Sequence, residues 1–176
     1  MDRRTLLTGG TLLAAAALTR EASARAKFGP ATADDKRFML LAINQAKTGD
    51  APFGAIIVRD GKVLALGKNT TKRDADPTAH AEMMAIRSFL QGHEPQDFKD
   101  ATIYASGEPC PMCMGAIIWC RFKRLVYAAS IAQLSAKIGQ IDITARDIAN
   151  ATSFIDIEMS GGLMAQDSLE LFGDKK

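Results

Sequence analysis

Between residues 34 and 130, short apolar runs suited to strands alternate with helical stretches of about ten to twelve residues. That alternation limits the chain to a layered α/β sheet, partly parallel. Ala55-Ile56-Ile57-Val58-Arg59 and Lys62-Val63-Leu64-Ala65-Leu66 flank Asp60-Gly61, the composition of a hairpin with a tight turn. Thr102–Ala105 and Arg124–Ala128 read as further strands. A first helix is opened by Asp34-Asp35, carries Phe38, Leu41, Ala42 and Gln45 on one face, and stops near Lys47 and Gly49. A second starts at Asp76-Pro77-Thr78 with Met83, Ile86 and Leu90 at core spacing, and a third runs from Pro111 to about Cys120. Beyond Ser130 the pattern weakens: residues 130–152 are patchily helical, 154–158 suit a strand, and 163–172 a closing helix.

The 176 residues are 47% apolar and 24% charged, enough for one domain with a real core and too few for two. Residues 1–26 stand apart. Arg3-Arg4, a weakly apolar run from Thr11 to Leu18, and the small-residue steps Ala22-Ser23-Ala24 and Ala24-Arg25-Ala26 follow the order of an export signal. The paired arginines resemble the twin-arginine type, which a receptor reads and which is not an anchor. This predicts a signal over 1–26, a folded domain over 27–176, and a periplasmic or secreted protein without a membrane anchor. The signal holds four of the 22 basic and two of the 20 acidic residues, so the remaining chain is balanced. A balanced body argues against a broad nucleic-acid-binding field.

Chemistry concentrates in His80-Ala81-Glu82 and Pro109-Cys110-Pro111-Met112-Cys113. The Cys-x-x-Cys lacks the following His of a haem attachment site, since Met114 stands there. A thiol redox pair stays open, and three cysteines make a disulfide framework a poor fit. A zinc site with an open position needs three N or S ligands, and His80, Cys110 and Cys113 supply them. Glu82 adds a carboxylate that a closed structural zinc site does not need. It suits proton transfer between water, a ring nitrogen and a leaving amine, the H-x-E…P-C-x-x-C arrangement known for zinc deaminases. One tension is geometric: positions 80 and 82 lie about 200° apart on a regular helix, so one site must be approached end-on, past the helix N-terminus.

With these motifs the chain resembles the cytidine deaminase-like superfamily, in its guanine deaminase and tRNA adenosine deaminase branch. The resembling blocks are Pro52-Phe53-Gly54-Ala55, Asp76–Arg87, Glu108–Trp119 and Leu125–Ala129. The resemblance implies a three-layer α/β/α fold around a mixed five-stranded sheet, one Zn2+ per subunit on His80, Cys110 and Cys113, and a homodimer or larger oligomer. It implies Glu82 as proton shuttle, Asn69 as base-binding amide and Phe53 as stacking ring. Phe53 and Trp119 look more like the guanine deaminase side, and Asp142 is the nearest candidate for that family's second carboxylate. Gly107, where relatives carry a bulkier residue, suggests a roomier wall.

Plainer roles compete at several positions. Asn69 suits a turn with Thr70 and Thr71, Trp119 suits plain core, and Cys120 suits a buried small apolar site. The expected substrate is a small nucleobase or nucleoside, guanine-like, and not nucleic acid. A tRNA adenosine deaminase and a non-catalytic zinc module are the alternatives. The former would draw on a basic strip from Lys68, Lys72, Arg73, Arg121, Lys123 and Arg124.

Overall fold

The computed structural model describes residues 25–173. Its elements run β1 (Ala26–Phe28), α1 (Ala33–Ala46), β2 (Gly54–Arg59), β3 (Lys62–Lys68), α2 (Ala81–Phe89), β4 (Thr102–Gly107), α3 (Pro111–Cys120), β5 (Arg124–Ala129), α4 (Ile131–Ser135), α5 (Ala145–Asn150), β6 (Ile157–Ser160) and α6 (Ala165–Leu169). The strands form one mixed sheet in the order β1-β6-β5-β4-β2-β3. β2 is antiparallel to β3 and β4, while β4–β5, β5–β6 and β6–β1 are parallel.

Local chemistry explains the main elements. Asp60 and Gly61 both take positive φ (51° and 71°), the turn that matches strand twist in a two-residue hairpin. α1 is capped by Thr32, whose hydroxyl accepts from the Asp35 N–H while the Asp35 carboxylate accepts from the Thr32 N–H. Pro111 fits the first position of α3, and Arg121, in the left-handed conformation (φ 61°), ends it.

Alternation along the strands divides the core between two faces. Ile57, Ile103 and Leu125 pack in the cluster holding α2 and α3, whereas Ile56, Tyr104 and Val126 pack with α1. Helices therefore cover both sides, as the three-layer expectation requires. Gly67 lets α2 lie close on β3, because a Cβ there would run into the backbone of Ala81 and Ala85.

The structure corrects several sequence expectations. The sheet has six strands, not five, because Ala26–Phe28 pairs with β6 as an edge strand. The folded body also reaches back past residue 27. The Ala26 N–H donates to Asn150 Oδ1 at 3.0 Å, and Arg25 pairs with Asp156 at 2.9 Å. β6 lies a few residues later than expected, and α2 begins at Ala81 and not at Asp76. Leu90 is not core: it is 43% exposed, one residue past the end of α2. Among the described residues, no helix is long and apolar enough to cross a membrane. The proposed signal lies outside the described residues except for Arg25 and Ala26.

Candidate active site

The late start of α2 creates the site. Asp76 Oδ1 accepts from the Thr78 N–H at 2.7 Å and the Thr78 hydroxyl at 2.6 Å, so Asp76 closes a turn instead of capping a helix. Arg87, on the last turn of α2, reaches back to Asp76 Oδ2 (3.1 Å) and Thr78 Oγ1 (2.9 Å) and holds that turn against the helix. His80 is left as the extended N-cap (φ −69°, ψ 159°), and helix begins one residue later. Helical spacing therefore does not apply between His80 and Glu82, and both can face the space beyond the helix end. Cys110 is likewise the extended N-cap of α3 (φ −63°, ψ 167°), with Cys113 one turn inside.

These two helix starts bring three ligand atoms together. His80 Nδ1 is 3.6 Å from both Cys110 Sγ and Cys113 Sγ, and all three atoms lie within 4.8 Å of one another. A tetrahedral zinc with bonds of about 2.0–2.1 Å to nitrogen and 2.3 Å to sulfur requires an N···S separation of about 3.6 Å. The donor set and its spacing fit zinc. The titration of the group agrees. Contact with Cys113, against the cost of burial and helped by His80, lowers the Cys110 thiol to about 4. Cys113 is pushed far up by its neighbour Cys110 and by burial. Without a cation the two sulfurs hold one proton between them; a dication in their midst removes that conflict.

Glu82 is 6% exposed on the first turn of α2, and burial, with the nearby Cys110 charge, raises it to about 7. His80 is raised by its contact with Cys110, in spite of burial. A carboxyl poised near neutrality can both accept and return a proton.

His80, Glu82 and Cys110 open into a cavity of about 560 Å³, whose walls include Phe53, Asn69, Thr71, Glu108 and Ile138–Ile141. Small-molecule sites span roughly 300–1,000 Å³. Asn69, 4% exposed, makes the turn with Thr71 and also lines the cavity. Its Oδ1 accepts from the Thr71 N–H (3.2 Å) and hydroxyl (2.9 Å), closing the turn, and its amide nitrogen remains free for the cavity. Phe53 is half-buried and stands edge-on to Phe172, with ring centroids 5.1 Å apart. Gly107 does not widen that wall. A Cβ there would come within 3.0 Å of Phe53 Cε1 and Leu134 Cδ1, so the missing side chain is already replaced by its neighbours.

Two expected substrate residues lie elsewhere. Trp119 is 75% exposed and packs on Phe154 with centroids 5.0 Å apart. It lies near the C-terminal end of the ten-residue α3, six residues beyond Cys113 and nine beyond Cys110, whereas the cysteines stand at the N-terminal end. Asp142 is exposed and accepts from the Ser135 hydroxyl at 2.6 Å, while its neighbours Gln140 and Ile141 reach the cavity. The basic strip is also broken up: Arg124 is tied to buried Asp35, and Arg73 to Asp50. Sequence reasoning missed Glu108 and the 138–141 segment. Glu108 stood beside the Cys-x-x-Cys motif, but a lone carboxylate there gives no spacing signal, and the segment has no periodicity.

A family model of the cytidine and deoxycytidylate deaminase zinc-binding region matches residues 32–129. The chain belongs to that family. Guanine deaminase of Bacillus subtilis (strain 168) is 46% identical over 95 residues, covering 53% of this chain and 61% of that protein. The chloroplastic tRNA(adenine(34)) deaminase of Arabidopsis thaliana is 42% identical over 106 residues, 58% of this chain but only 8% of that protein. The tRNA-specific adenosine deaminase of Agrobacterium fabrum (strain C58) is 32% identical over 143 residues, 79% of this chain and 91% of that one. Among solved structures, a tRNA:A34 deaminase studied for A-to-I editing superposes with a TM-score of 0.65 at 33% identity, over 77% of this chain and 98% of its own. The guanine deaminase of Nitrosomonas europaea, at 23% identity, shares the fold with a TM-score of 0.66, over 83% of this chain and 85% of its own.

Proposed function

We propose that the protein is a zinc-dependent hydrolytic deaminase of a small nucleobase or nucleoside, guanine-like in class. The observation that carries this reading is the convergence of a three-ligand metal site and the buried Glu82 carboxyl on one cavity wall. Bound there, zinc supplies Lewis acidity toward a water molecule. His80, Cys110 and Cys113 would hold the metal. Glu82 takes one proton from the attacking water and passes it to the ring nitrogen of the amidine; it then takes the second proton from the added hydroxyl, as the carbonyl forms, and delivers it to the departing amine. Water is consumed, ammonia leaves, and a carbonyl replaces the amino group. Phe53 offers a ring for stacking, and the free amide nitrogen of Asn69 donates to an acceptor on the base edge.

Two facts favour a free base over folded RNA: the charge balance of the body, and the engagement of Arg73 and Arg124 in ion pairs. The extent of the match to the Agrobacterium tRNA-specific enzyme supports the second reading, a tRNA adenosine deaminase. Ammonia release decides between them, measured with zinc-loaded protein on free bases, nucleosides and a tRNA anticodon stem-loop. Faster turnover of guanine-like bases is expected; faster turnover of the stem-loop contradicts this reading. The exposed Trp119–Phe154 pair is consistent with assembly as a homodimer.

Export also belongs to this proposal. Zinc-bound thiolates folded before export would be protected from oxidation outside the cytoplasm. Because Arg25 and Ala26 are built into the sheet edge, cleavage is expected after Ala24. N-terminal sequencing of the exported protein should read Arg25 first, and a product starting at Met1 in the cytoplasm contradicts export.

A further inference from the structure

Glu108 is 6% exposed and accepts two hydrogen bonds at opposite ends of one loop. Its Oε2 accepts from the Ile131 N–H at 2.8 Å, and its Oε1 from the Ala145 N–H at 2.8 Å. Ile131 is the first residue of α4 and Ala145 the first of α5. At both helices the N-cap hydroxyl already serves the N–H three residues further in, Ser130 that of Gln133 and Thr144 that of Asp147. The first N–H of each helix has no such partner, and one carboxylate satisfies both. Ile131 (2% exposed) and Ala145 (0%) are buried, so these bonds are out of water. Between the two helices runs the segment 136–144, and its Ile138–Ile141 stretch forms one side of the cavity. The backbone of Glu108 is fixed in turn: its N–H donates to the Ala129 carbonyl at 2.7 Å, and Cys110 follows two residues later.

We propose that Glu108 is a positioning residue that sets the 136–144 loop against the metal centre, and so fixes the wall that closes over the substrate. The inference rests on reading the cavity as the substrate site. A carboxylate is suited to this role because it offers an acceptor to each N–H; an amide offers one acceptor and turns a donor toward the other. No side chain of 136–144 is fully buried: Ile138 packs partly against Ala129, Leu134 and Phe172, Lys137 Nζ donates to the Gly173 carbonyl at 3.5 Å, and Asp142 accepts from the Ser135 hydroxyl. The buried backbone bonds that hold the segment are those at its two ends, on Glu108. Glu108 touches no reacting atom in this scheme, and its effect passes through Ile138–Ile141.

The test uses the zinc-loaded full chain, followed by hydrogen exchange, zinc analysis and steady-state kinetics. In the wild type, the Ile131 and Ala145 amides should exchange far more slowly than those of residues 138–141. Glu108→Gln should speed exchange at 131–145 by roughly ten- to a hundred-fold, the range for losing a buried charge-assisted bond. Exchange in β2, β4 and β5 should stay unchanged and zinc should remain at one per chain. KM should rise roughly ten-fold with kcat changed by less than about three-fold. Three results would overturn the proposal: fast wild-type exchange at Ala145, acceleration spread evenly over the whole sheet, or a loosened loop with unaltered KM. The wild-type exchange measurement stands even where the variant fails to fold. A wild type inactive on every base, nucleoside and stem-loop would instead count against the deaminase reading, while the exchange pattern still reports on the role of Glu108 in holding the loop.

Discussion

Phe53 packs against Phe172 and lines the cavity with one ring. Its edge contact with Phe172 and the space left by Gly107 hold it, and another part of the ring borders the cavity. Base stacking on an aromatic side chain is worth about 1–3 kcal/mol. Phe53→Ala should therefore raise KM roughly ten-fold and change kcat less, because a stacking contact is felt alike in ground and transition states. Steady-state kinetics check this, and a fall in kcat at constant KM would assign the ring to the chemical step. The ligands and Glu82 were legible in the sequence because metal chemistry demands particular residue types at short spacings. Asn69 was legible only as a pair of alternatives; the structure shows its Oδ1 closing the turn with Thr71 and places the residue on the cavity wall. Trp119 misled for a simple reason: residue type gives no distance, and it stands at the opposite end of α3 from Cys110 and Cys113.

At the level of elements, the bounds of α3 could be read closely because Pro111 marks a helix start by its fixed φ and missing donor. α2 could not, since Asp76-Pro77-Thr78 looks the same as a helix cap and as a free turn until Arg87 is seen to hold it. α1 shows a different kind of control. Asp35, 1% exposed, accepts from Arg124 Nη1 (2.7 Å) and Nη2 (2.8 Å), from the Tyr104 hydroxyl (2.7 Å) and from the Thr32 N–H. Burial alone would raise its pKa, but these donors outweigh it and hold the carboxyl well below the usual carboxylate range. A carboxyl depressed in the folded state contributes stability that is present above the unfolded value, near 3.8, and is lost as pH falls toward the folded one. Asp35→Asn leaves Arg124 with its charge unpaired and should cost about 3 kcal/mol or more at pH 7. Denaturant titrations of both proteins should show that gap closing below about pH 4. A gap independent of pH would mean that shape, and not charge, is what Asp35 supplies.

For the whole molecule, the alternating pattern predicted a partly parallel sheet and the family resemblance implied helices on both of its faces, and such a fold forms. The sixth strand escaped notice because β1 has three residues and no periodicity of its own; it is a strand only because β6 is beside it. Long-range pairing of that kind leaves no local mark in a sequence. The same holds for the loop that Glu108 gathers from residues far along the chain. The fold as a whole brings two helix starts to one end of the sheet, and the central claim is that this end is a proton-transfer site and not merely a metal clamp. Turnover and zinc content of one Glu82→Gln preparation test it most directly. Gln keeps the size of the buried group but cannot carry the proton. Turnover should fall by about 10²- to 10⁴-fold while zinc stays at one per chain, in contrast to His80→Ala or Cys113→Ala, which should lose metal and stability together. A Glu82→Gln protein that keeps most of its turnover, or that loses zinc as the ligand variants do, would contradict the account.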